Sequence, residues 1–126
     1  MNKGGVIMIT TKKIYISLNH NNIRTHDQCQ KDMNQILTEI SGYIQEPVEL
    51  IGIHLPDNPI IENSHQEVRN PEIVLLSSNL RLMAYSDYVV FEKDWRNSDI
   101  CCIEYETARR FGIPMYQQVD DDYQNF

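Results

Sequence analysis

A carboxylate stands where the residue spacing calls for an apolar side chain. Residues 94–108 read DWRNSDICCIEYETA. Wound as a helix, Ile100, Ile103, Glu104, Thr107, Ala108 and Phe111 recur at i, i+3, i+4 and i+7, so Glu104 falls within the stripe that turns inward. Glu106 falls on the opposite face and needs no explanation. Burial penalises the charge of a carboxylate and the positive end of a helix favours it, an opposition suited to a carboxylate that must work ionised in a dry pocket. A boundary Glu paired with a neighbouring strand meets the same pattern, and at this point both readings stand.

Other reactive residue types carry less. His20, His54 and His65 have no metal-ligand spacing, and no metal or other cofactor is expected. Cys29, Cys101 and Cys102 are odd in number and lack a C-x-x-C spacing, which reads as reduced thiols. Cys101 and Cys102 open a helix, a place that lowers a thiol pKa, but small core residues is the better reading of both. Trp95 is a packing or pocket-wall aromatic.

The elements that must position Glu104 follow from the pattern. Lys13-Ile14-Tyr15-Ile16-Ser17 is a first strand, followed by a polar loop over 19–24. Thr25 with Gln28 has capping-box spacing, and Met33, Ile36, Leu37, Ile40 and Ile44 mark a helix over about 25–43. Pro47 ends it, and 48–53 form a second strand. Residues 55–69 make a loop of about fifteen residues, a length that is often functional. Asn70-Pro71 caps a second helix with Ile73, Leu76, Leu80 and Met83 on one face. Residues 88–91 form a third strand. The last helix spans about 99–111 and is stopped by Gly112 with Pro114 beyond, and a fourth strand covers 115–119.

Strands alternating with helices imply a single α/β domain: an open, doubly wound parallel sheet of four to five strands in the order 2-1-3-4, of Rossmann or flavodoxin-like type. Ile14, Ile16, Leu50, Ile53, Val89 and Val90 are its expected core, and ligands belong at the carboxyl ends of the strands. The domain is expected over 12–119, with 1–11 a disordered leader and 120–126 an acidic tail. Lys3-Gly4-Gly5 is what a purine-rich bacterial ribosome-binding sequence encodes when read in frame, which makes Met8 an alternative start.

Composition excludes several classes. With 126 residues the chain has room for one core, and 41% hydrophobic with 23% charged residues is ordinary for a globular protein. No apolar run approaches the roughly 20 residues of a membrane span, and no secretion signal is evident, so a cytoplasmic location is expected. A formal charge of −7, with eleven scattered Lys and Arg, argues against binding duplex nucleic acid.

Taken together, the opening strand 13–17, Ser86-Asp87 before the third strand, and Trp95-x-x-Ser98 with Glu104, Ala108, Gly112 and Pro114 resemble the nucleoside 2-deoxyribosyltransferase-like superfamily, in its branch of small domains. The resemblance covers both ends of the chain and not its middle. It implies cleavage or transfer of an N-glycosidic bond of a nucleoside or nucleoside monophosphate, with Glu104 as the catalytic carboxylate. It further implies that Ser98 contacts a 5′-phosphate, that Tyr15, Ser17, Asn19, Arg24, Asp87 and Trp95 line the substrate, and that a homodimer completes the pocket. The chain departs from the family in Leu18, where a glycine is usual, and in Ile100-Cys101, where a small pair opens the helix. Both narrow the space above the sheet and favour, as the alternative, a non-catalytic nucleotide-binding or nucleotide-sequestering protein. Asp99 adds a negative charge where phosphate would be favoured, and Arg24, Arg96 and His20 are the counter-charges at hand.

Overall fold

The computed structural model describes residues 10–19, 21–51 and 67–126. Five strands form one sheet, β1 (Lys12–Ser17), β2 (Val48–Leu50), β3 (Tyr88–Phe91), β4 (Met115–Val119) and β5 (Asp122–Asn125), in the order β2-β1-β3-β4-β5. The first four are parallel and β5 is antiparallel to β4. Among the described residues three α-helices accompany them: α1 (His26–Ile44), α2 (Pro71–Ala84) and α3 (Asp99–Arg110). A 3₁₀ turn at Trp95–Asn97 leads into α3. No helix among the described residues is long and apolar enough to cross a membrane.

Period-two alternation along β1 sorts its side chains between two cores. Ile14 and Ile16 join Ile36 and Ile40 of α1 and Val90 on one face. Tyr15 joins Met83 of α2, Val89, Phe91, and Cys101 and Ala108 of α3 on the other. Ile14, Ile16, Val89 and Val90 are buried as expected, whereas Leu50 is only half-buried. Ile53, most of the 55–69 loop and residues 1–9 lie outside the described residues.

Local chemistry sets the helix ends. Thr25 Oγ1 accepts from the Gln28 amide at 3.1 Å and caps α1. The Gln28 side chain does not return to Thr25; it donates to Asp32 instead, so only half of the capping box forms. Asn70 caps α2 through the Ile73 amide, with Pro71 in the first turn. Gly112, at φ +72°, follows the end of α3.

Three expectations are corrected. The inward stripe of α3 is rotated: Cys101, Glu104 and Ala108 are buried, while Ile103 and Phe111 are exposed by 45% and 79%. On α2 the inward face holds only towards the carboxyl end, where Met83 is buried; Ile73 is exposed. Residues 120–126 are not a tail. Asp120 turns at φ 53°, a left-handed conformation that Asp tolerates, and the chain returns as β5 with Tyr123 buried against α1 and donating to Glu39 at 2.6 Å.

Candidate active site at the carboxyl ends of the central strands

Glu104 reaches the sheet from the second turn of α3 and is fully buried. Tyr15 and Ser17, two residues apart on β1, point to the same face and meet it there. The Tyr15 hydroxyl donates to Oε2 at 2.7 Å and the Ser17 hydroxyl donates to Oε1 at 2.6 Å, so each carboxylate oxygen has its own donor. Burial, and then the negative charge of Glu104, hold the Tyr15 phenol well above the usual tyrosine range, which keeps it a donor.

Cys101 closes one side. Its Sγ lies 3.1 Å from Ser17 Oγ and 3.1 Å from the Leu18 carbonyl. Ser17 has one proton and gives it to the closer, charged acceptor, so the thiol is left to donate to Leu18. Burial pushes the Cys101 thiol up, opposite to the lowering that a helix start alone would give, and it behaves as a small core residue.

Ser98 caps α3, its Oγ accepting from the Cys101 amide at 3.2 Å, and is buried. Asn19 is also buried and ties the β1–α1 loop to the loop after β3. Its amide donates to Glu92 at 2.7 Å, its Nδ2 donates to the Asp94 carbonyl at 2.9 Å, and its Oδ1 accepts from the Asn21 amide. Arg24 locks the same loop. It donates to Glu92 through both terminal nitrogens, to Asp32 at 2.7 Å and to the Asn19 carbonyl at 3.0 Å.

Tyr15 and Ser17 are thus brought to Glu104, Ser98 caps the start of the same helix, and the other expected residues are placed differently. Asp87 sits at the amino end of β3, where its carboxylate accepts from the Lys13 amide at 2.8 Å. Lys13 is four residues before Ser17, about 13 Å along the strand, so Asp87 is at the far edge of the sheet from Glu104. Trp95 is 4% exposed, stacked on Tyr105 at 4.8 Å and flanked by Phe91, Phe126 and the Arg96 guanidinium. Its Nε1 donates to Gln117 at 3.1 Å. It is a core aromatic with no face left for a base. Arg24 is not a free counter-charge, because two carboxylates already hold it. His20 lies outside the described residues.

Glu92 and Asp32 were not anticipated. The available signal for Glu92 was its position, a carboxylate directly after the central strand β3, where site loops cluster. Arg24, followed by Gln28, holds Asp32 below the usual aspartate range. A carboxyl depressed in the folded state contributes stability above its unfolded value, near about 4, and that stability is lost as pH falls through the folded value. We therefore expect Asp32→Asn to destabilise the protein in urea titrations at about pH 6, with the difference from wild type shrinking below about pH 4. A difference independent of pH would contradict this pairing.

The fold and site define a class, an open α/β domain with a buried carboxylate held between two hydroxyls at the carboxyl ends of its central strands. Compared with known families, with curated proteins and with solved structures, the chain matches none.

Proposed function

We propose that the chain is a cytoplasmic enzyme of the nucleoside 2-deoxyribosyltransferase-like superfamily that cleaves or transfers the N-glycosidic bond of a nucleoside or nucleoside monophosphate. The observation that carries this reading is the Tyr15–Glu104–Ser17 arrangement. A fully buried carboxylate is costly to keep in a core, and here both its oxygens are oriented by hydroxyl donors at the edge where open α/β sheets take ligands. As the C–N bond to the base breaks, its electron pair leaves with the base and positive charge develops on the sugar. Glu104 stabilises that charge. It either forms a C–O bond to the anomeric carbon, later opened by water or a second base, or takes a proton from an attacking water. Tyr15 holds Oε2 throughout, while rotation of the Ser17 hydroxyl frees Oε1 for the sugar.

One observation favours a second reading. Glu104 has no exposed surface and Cys101 packs beside its Ser17 partner, as expected of a nucleotide-binding protein that has lost catalysis. Incubating the protein with a panel of nucleosides and nucleoside monophosphates, followed by chromatography for free base, decides between them. The enzyme releases base from at least one compound. The binding protein releases none, although one compound raises its melting temperature with concentration.

The active assembly in this reading is a homodimer. Its support is the number of large apolar side chains left exposed on and beside α2 and α3, among them Ile73, Ile103 and Phe111. Light scattering at tens of micromolar should return the mass of a dimer, and a monomer mass would contradict the assembly.

A further inference from the structure

We propose that the β1–α1 loop is a gate over Glu104, held shut by Asn19 and Arg24 on Glu92 and opened when they release it. The inference goes beyond the reaction proposed above. A catalyst and a nucleotide-binding protein both need a way in to a carboxylate that has no exposed surface.

The loop is sewn across the gap between the end of β1 and the start of α3. Leu18 follows Ser17, the partner of Glu104, and its carbonyl lies 3.1 Å from Sγ of Cys101, about one turn ahead of Glu104 on α3. Asn19 Nδ2 donates to the Asp94 carbonyl at 2.9 Å, and Asn21 Nδ2 donates to the Asn97 carbonyl next to the Ser98 cap. Outside this seam a cavity of about 450 Å³ is lined by Asn21, Asn97 and Ser98 together with the first turns of α2 and α3. Tyr15, Ser17, Cys101 and Glu104 do not line it, so the seam stands between open space and the buried carboxylate.

What holds the loop shut is polar. Among its described residues, 18, 19 and 21–24, the apolar side chains are Leu18, which packs on the α1 side of the sheet, and Ile23, which is fully exposed. Beyond Leu18 no apolar burial resists lifting, and segments held by few apolar contacts are the ones that open locally. The strong tie is charged. Arg24 donates to both oxygens of Glu92, at 2.9 and 2.6 Å, and to the Asn19 carbonyl at 3.0 Å, while the Asn19 amide donates to Glu92 at 2.7 Å. Glu92 is itself fixed to the sheet, its amide donating to the Ser17 carbonyl at 3.0 Å. One carboxylate on the rigid sheet thus latches both ends of the loop.

Maleimide labelling of Cys101, located by peptide mass, reads the gate without any ligand. The thiol is fully buried against the Leu18 carbonyl, so labelling waits on opening. A local opening exposes little new surface, and in wild type we expect a labelling rate that stays within about twofold as urea rises towards the unfolding transition. Glu92→Gln weakens the latch, and the hydrogen bonds of Glu92 go to the loop and β1, none of them to α3 among the described residues. That variant, shown folded by circular dichroism, should label at least about fivefold faster without urea. The urea series uses wild-type protein, so it stands even if the variant folds poorly. A rate that climbs with urea at the slope of global unfolding, equal rates in the two proteins, or no labelling below the transition overturns the inference. Base release takes no part in this readout, so the gate and the reaction are judged separately.

Discussion

Arg24→Met lowers the melting temperature by about 6–15 °C, corresponding to about 2–4 kcal/mol in a domain of this size. The reason is a charge count at a largely buried spot. The Arg24 side chain is 9% exposed, and its partners Glu92 and Asp32 are 14% and 25% exposed. Removing the one cation leaves two carboxylates facing each other with little water, which is the costly direction in which to break a buried ion pair. Glu92 keeps the Asn19 amide and Asp32 keeps the Gln28 side chain, so the loss stays below that of a wholly abandoned charge. Glu92→Gln should cost less, since it leaves a one-to-one pair between Arg24 and Asp32. Asp32→Asn should cost least, because Asp32 is the most exposed of the three. Thermal unfolding of the three variants checks the ranking. A shift of less than about 2 °C for Arg24→Met would show that the cluster does not hold the loop.

This cluster also marks where the sequence stopped being informative. The strand and helix order was legible because each element carries its own signal: alternation in 13–17, the Thr25 and Asn70 caps, Pro47 and Gly112 as stops. The strand order followed from right-handed crossovers between those elements. What failed were inferences that depend on neighbours. The acidic composition of 120–126 hid Tyr123, whose burial depends on α1 lying beneath it. The apolar period of α3 placed Ile103 and Phe111 inward, yet the helix turns Cys101 and Ala108 to the sheet, because those small residues permit close approach to Tyr15, Val89 and Phe91.

The site shows the same division. That Glu104 lies on the buried face was readable from spacing alone. That Tyr15 and Ser17 share its face follows from their two-residue spacing on a strand, once the third strand and last helix are known to lie over it. Asp87 and Trp95 were drawn in by resemblance and not by physics. One belongs to the amino edge of the sheet and the other to the aromatic core. Arg24 was read as a free cation because its two acidic partners, at separations of 8 and 68 residues, carry no local signature.

Comparison of wild type with Glu104→Gln on the best compound of the nucleoside panel shows whether Glu104 is buried for chemistry. The substitution keeps the shape. Gln accepts from Tyr15 through its carbonyl oxygen, and its amide donates to Ser17 Oγ, whose hydroxyl can reverse. Removing a buried charge also relieves its desolvation, so the variant should melt at or above the wild-type temperature. Base release, by contrast, should fall by about a hundredfold or more, since the developing sugar cation loses its only buried counter-charge among the described residues of the site. Chromatographic measurement of free base on the two proteins, both shown folded by circular dichroism, gives the answer. A stable variant that has lost base release is the predicted result. Equal base release from wild type and Glu104→Gln would remove Glu104 from the reaction.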